Sequence, residues 1–66
     1  MDIFELKEKL QSELEKGQTI ENLVEYVMCD FNSVQTIITK HYAKSMSSTR
    51  TTTQRRLVRE YIQDLA

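Results

Sequence analysis

TIENLVEYVMCDFNSVQTIIT, residues 19–39, holds two short amphipathic patterns separated by a break too short for an ordinary loop. Ile20, Leu23, Val24 and Val27 fall at the i, i+3, i+4, i+7 spacing of a single buried helix face, and Val34, Ile37 and Ile38 take up the same spacing again. Only Met28, Cys29, Asp30, Phe31 and Asn32 lie between them. Two helices joined so tightly must pack on each other at a steep angle, which turns the start of the second one outward. The pattern predicts helix, tight turn and helix, with the turn over residues 29–31.

Helices extend on both sides of this unit. A first helix is predicted over about residues 2–16, with Ile3, Leu6, Leu10 and Leu14 as its buried stripe and Phe4 widening it. Gly17 ends it, because glycine accepts the left-handed conformation of a helix cap without a Cβ penalty. Thr19 is the expected cap of the second helix, and Asn32 that of the third, with Gln35 three residues on in a capping-box relation. That third helix is expected to reach about Lys44 or Met46. The hydroxyl-rich run from Ser45 to Thr53 favours a loop, since its side chains compete for backbone hydrogen bonds. A fourth helix over about 52–65 carries Leu57, Val58, Tyr61, Ile62 and Leu65 on one broad stripe. The stripe needs cover: it closes the core of its own chain, pairs with a second copy as a dimerisation face, or does both. The expectation is an all-α, compact bundle of about four helices forming a single domain over residues 1–66.

Composition narrows the classes. Sixty-six residues bury only a modest core, and neither usual staple of a small scaffold is available. One cysteine cannot close an internal disulfide, and one cysteine with one histidine cannot complete a structural zinc site. No cofactor is expected. The absence of proline and the single glycine agree with an all-helical chain. No run of 18 apolar residues could span a membrane, and the acidic start MDIFELKEKL lacks the flank of a signal peptide, so a cytoplasmic location with no membrane partner is expected. Cys29 is expected to be a small buried apolar residue near the turn.

Charge is divided along the chain although the net value is only −1. Residues 1–39 carry eight acids against three lysines, while residues 40–66 carry six cations against Glu60 and Asp64. Such a dipole can orient a small protein on a polyanion, or bring unlike faces of two copies together.

The unit over residues 19–39 resembles the helix-turn-helix of phage and bacterial repressors. By that resemblance Leu23, Val24 and Val27 form the core of its first helix, and Val34 and Ile37 fix the recognition helix. Val24 stands where the family usually has a small alanine, and Met28 where the turn often has glycine. The resemblance implies that Asn32, Ser33, Gln35, Thr36 and Thr39 lie on the outward side of the third helix as DNA-binding residues. Asn32 and Gln35 can pair bidentately with adenine, Ser33 and Thr36 can bond bases or phosphates, and a threonine methyl can meet the thymine methyl. Lys40, Lys44 and Arg50, with His41 nearby, are candidates for phosphate contacts. Glu21, Glu25 and Asp30 oppose this, since the helix before the recognition helix crosses the phosphate backbone. The implied function is a sequence-specific transcriptional regulator of a prokaryote or its phage, most simply a homodimer reading two half-sites of an operator-like duplex.

Catalysis has little support: no nucleophile and base pairing, glycine-rich phosphate loop, metal cluster or HExxH spacing occurs. The rival expectation is an acidic helical adaptor or inhibitor that binds a host regulatory protein or polymerase. Tyr26, Phe31, Tyr42 and the acidic first helix, including Glu13 and Glu15, would supply its surface. Phe31 otherwise tucks under the turn. Arg55, Arg56 and Arg59 either help the last helix reach the duplex or meet the acidic first helix, within the chain or across an interface.

Overall fold

A computed structural model describes residues 2–66. Four α-helices follow one another, α1 (Ile3–Glu15), α2 (Ile20–Met28), α3 (Phe31–Thr36) and α4 (Thr51–Leu65), and no strand occurs among the described residues. After Thr36, α3 widens into a π-helical turn, Ile37–His41, and a short 3₁₀ turn, Met46–Ser48, punctuates the loop before α4.

Each start has a local cause. The Asp2 carboxylate accepts from Glu5 N–H at 2.9 Å, and the Thr19 hydroxyl from Asn22 N–H at 3.1 Å, so both helices begin at a side chain that satisfies a free amide. Gly17, at φ 99°, ends α1 in the left-handed region, as expected. The cap of α3 is Asp30, not Asn32. Its Oδ1 accepts from Asn32 N–H at 3.1 Å and its Oδ2 from the Ser33 hydroxyl at 2.9 Å. A carboxylate that takes two donors outcompetes an amide two residues later, and the turn shrinks to Cys29 and Asp30.

The third helix also stops short of residue 44. Tyr42 N–H reaches Ile37 O at 3.2 Å and Lys44 N–H reaches Ile38 O at 3.0 Å, closing the wide turn, and Ala43 takes φ 55° just beyond it. The Tyr42 hydroxyl donates to Leu57 O at 3.0 Å, which ties this end of the helix to α4.

One core is shared by all four helices. Leu6 and Leu10 of α1, Leu23, Val24 and Val27 of α2, Val34, Ile37 and Ile38, and Leu57, Val58, Tyr61 and Ile62 of α4 are all buried in it. Every residue assigned to the faces of the two-helix unit at 19–39 is therefore inside, apart from half-buried Ile20. The α4 stripe resolves the same way: Leu57, Val58, Tyr61 and Ile62 are spent in the core of their own chain, with Leu65 packed at its edge, so they are not a free dimerisation face. α1 touches the rest through a narrow stripe, which leaves Phe4, one residue round the helix from Ile3, 73% exposed rather than widening the core.

Candidate nucleic-acid interface

The sequence assigned five outward polar residues to α3 and its extension, and the structure keeps three. Asn32 and Gln35 are exposed and Thr39 is half-buried, all on the side away from the core. Ser33 and Thr36 are buried, at 1% and 8% exposure, and are withdrawn as DNA-contacting residues. Ser33 is drawn inward by its bond to the Asp30 carboxylate, and the Thr36 hydroxyl donates to Asn32 O at 2.8 Å. Their positions follow from helical spacing: Ser33 stands one turn before fully buried Ile37, and Thr36 one turn after Ser33, on the same inward face. The earlier start of α3 makes Phe31 the first residue of the helix, 65% exposed beside Asn32, instead of a residue tucked under the turn. Helical spacing places Phe31, Asn32, Gln35 and Thr39 in one continuous stripe.

Cations flank this stripe. Lys40, exposed in the π-helical turn, Lys44 just past it and Arg50 before α4 form no ion pair among the described residues. The loop between them satisfies itself: the Ser48 and Thr49 hydroxyls donate to Ser45 O at 3.0 and 3.1 Å, and Gln54 Nε2 donates to Thr49 O at 3.1 Å. Arg50 occupies the cap position of α4 without a side-chain acceptor for its first amides.

The carboxylates of α2 are not free. Arg59 Nη2 meets Glu21 Oε2 at 2.8 Å, and Arg55 pairs with Glu25. For the α4 arginines the sequence offered the acidic first helix, within the chain or across an interface, as a role competing with DNA, and Arg55 and Arg59 instead reach α2, because α4 packs most closely along it. Arg56 stays exposed. His41 is exposed and lies edge-on to Tyr42 and Tyr61, each with ring centroids 4.7 Å away.

A second surface adjoins α2. An open groove of about 830 Å³ runs between α1 and α2, lined by Lys9, Glu13, Leu23, Tyr26 and Asp30 among others, with Lys9 Nζ 4.9 Å from the centre of the Tyr26 ring. Cys29 opens onto it and is exposed, contrary to the buried position expected, because it closes α2 two residues beyond inward-facing Val27. Glu15 lies instead beside Leu14 and Leu65 at another depression, so Glu13 and Glu15 do not share a surface. No helix among the described residues is long and apolar enough to cross a membrane.

Comparison with protein-family models, curated proteins and solved structures finds no match to this chain.

Proposed function

We propose that this chain is a small DNA-binding transcriptional regulator that lays α3 and its π-helical extension in the major groove of duplex DNA, acting in the cytoplasm of a prokaryotic cell. One observation carries the reading. From residue 31 to residue 59 there is no aspartate or glutamate, and the α2 carboxylates on the neighbouring helix are tied to Arg55 and Arg59. The objection raised by Glu21 and Glu25 is thereby weakened, because a paired carboxylate presents little net charge to a phosphate. Asp30 is likewise engaged at the start of α3. Lys40, Lys44 and Arg50 supply phosphate contacts that position the domain, and Asn32, Gln35 and Thr39 supply contacts to base edges.

The reading needs no dimer through α4, whose apolar stripe is internal. A test is retention of random-sequence duplexes by the purified chain at about 50 mM salt, followed by recovery of the bound fragments. Enrichment of a common sequence supports the proposal, and a failure to retain any duplex at that salt removes it.

A second reading rests on a separate observation, the open groove between α1 and α2 with Glu13 and half-exposed Tyr26 in its wall. An adaptor or inhibitor would engage a basic segment of a regulatory protein there. The two readings differ in what they ask of Glu13, so Glu13→Lys would weaken a protein complex while leaving or raising DNA retention.

A further inference from the structure

We infer, on the strength of the DNA-binding reading above, that α3 is furnished to read A·T base pairs from the major groove and lacks the groups that read G·C. Major-groove recognition of guanine relies chiefly on arginine or lysine bidentate to O6 and N7, and recognition of cytosine on a carboxylate accepting from N4. The segment 31–41 contains no arginine, and its one lysine, Lys40, stands at the edge of the exposed stripe rather than within it. The carboxylate that precedes the stripe, Asp30, is committed through both oxygens to Asn32 N–H and the Ser33 hydroxyl.

What the stripe does hold is complementary to adenine and thymine. The backbone carbonyls of Asn32 and Gln35 are used by the Thr36 and Thr39 hydroxyls, but the side-chain amides of Asn32 and Gln35 make no hydrogen bond among the described residues. Each offers a donor and an acceptor side by side, the pattern that matches N6 and N7 of adenine. Thr39 has its hydroxyl directed to Gln35 O at 2.7 Å, which leaves its methyl as the group to present. Phe31 adds an exposed apolar ring one residue from Asn32. A methyl and a ring next to two amides fit the C5-methyl of thymine beside adenine.

The test compares the chain's affinity for four duplexes of one length: A·T-rich, G·C-rich, A·T-rich with uracil for thymine and 7-deazaadenine for adenine, and inosine·cytosine. The A·T-rich duplex is expected to bind at least about tenfold tighter than the G·C-rich one. Removal of the thymine methyl and adenine N7 should abolish that advantage. The inosine·cytosine duplex, which carries the A·T pattern only in the minor groove, should behave like G·C. Asn32→Ala with Gln35→Ala should erase the preference with helicity by circular dichroism unchanged. Binding to all four duplexes with equal affinity overturns the inference and leaves DNA binding standing, as does an advantage retained by inosine·cytosine. Absence of binding to every duplex at low salt overturns both.

Discussion

Arg59 Nη2 donates to Glu21 Oε2 across 2.8 Å, joining α4 to α2 over 38 residues of chain. The pair is exposed at both ends, as is its neighbour Arg55 with Glu25, so each contributes only about 0.2–1 kcal/mol to folding. Their larger consequence is electrostatic. Glu21→Gln with Glu25→Gln should raise affinity for duplex DNA about threefold to tenfold at low salt, and Arg55→Gln with Arg59→Gln should lower it by a similar factor. Affinity that moves with neither double substitution would place α2 away from the duplex.

Ile62 is fully buried in the core of its own chain, and a dimer face would behave differently under dilution. Ile62→Val should cost about 0.5–1.5 kcal/mol, with a Tm independent of protein concentration in both proteins. A Tm that climbs with concentration, and a dilution effect sharpened by the substitution, would return the α4 stripe to an intermolecular role.

Among the described residues two occupy left-handed backbone, Gly17 at φ 99° and Ala43 at φ 55°, and only one of them is a glycine. An added Cβ at Gly17 would touch nothing within 4 Å, so the penalty for Gly17→Ala is that of the backbone conformation alone, about 1–2 kcal/mol. Ala43→Gly relieves the same strain and offsets part of it through the greater freedom of the unfolded chain, for a net gain of up to about 1 kcal/mol. Urea unfolding should show the two changes with opposite sign.

The Tyr42 hydroxyl donates to Leu57 O, whereas the buried Tyr61 hydroxyl has no partner among the described residues. Tyr42→Phe should therefore cost about 0.5–1.5 kcal/mol, and Tyr61→Phe should be neutral or stabilising by about 1 kcal/mol. Burial raises both phenols above the ordinary value, and Glu60 and Asp64 add to the effect at Tyr42. A phenol whose folded pKa is raised stabilises the fold below its unfolded value near 10 and loses that contribution as pH rises through the folded value. Stability should thus fall above about pH 10, and less steeply in Tyr61→Phe, as read by chemical denaturation across that window.

The core was legible in the sequence because periodicity reports it directly: Leu6, Leu10, Leu23, Val24, Val27, Val34, Ile37, Ile38 and the α4 stripe all lie where their spacing puts them. Thr19 and Gly17 were legible as single-residue signals with a local mechanism. The start of α3 was not. Aspartate and asparagine are comparable caps, and the choice between Asp30 and Asn32 turned on a second bond, from the Ser33 hydroxyl, that spacing alone does not reveal. That two-residue difference makes exposed Phe31 the first residue of α3, whereas the burial of Ser33 and Thr36 follows from their spacing to Ile37, one turn on. Cys29 was misplaced because burial statistics for cysteine carry no information about a position that ends a helix. The pairing of Arg55 and Arg59 with α2 depends on which helices pack together, and the charge pattern was equally compatible with α1.

Lys40, Lys44 and Arg50 give the DNA-binding reading a quantitative consequence, since each is exposed and pairs with no carboxylate among the described residues. If all three neutralise phosphates, log K should fall against log salt with a slope of about −2.7, at about −0.9 per contact. Between about 50 and 200 mM salt that amounts to a loss of roughly 40-fold in affinity. Each of Lys40→Gln, Lys44→Gln and Arg50→Gln should make the slope shallower by about 0.9 and weaken binding to all sequences alike, whereas Gln35→Ala should leave the slope intact and change the sequence preference. Three substitutions that weaken binding without altering the slope would mean that these side chains act on the fold rather than on phosphate, and circular dichroism of the same variants would show it.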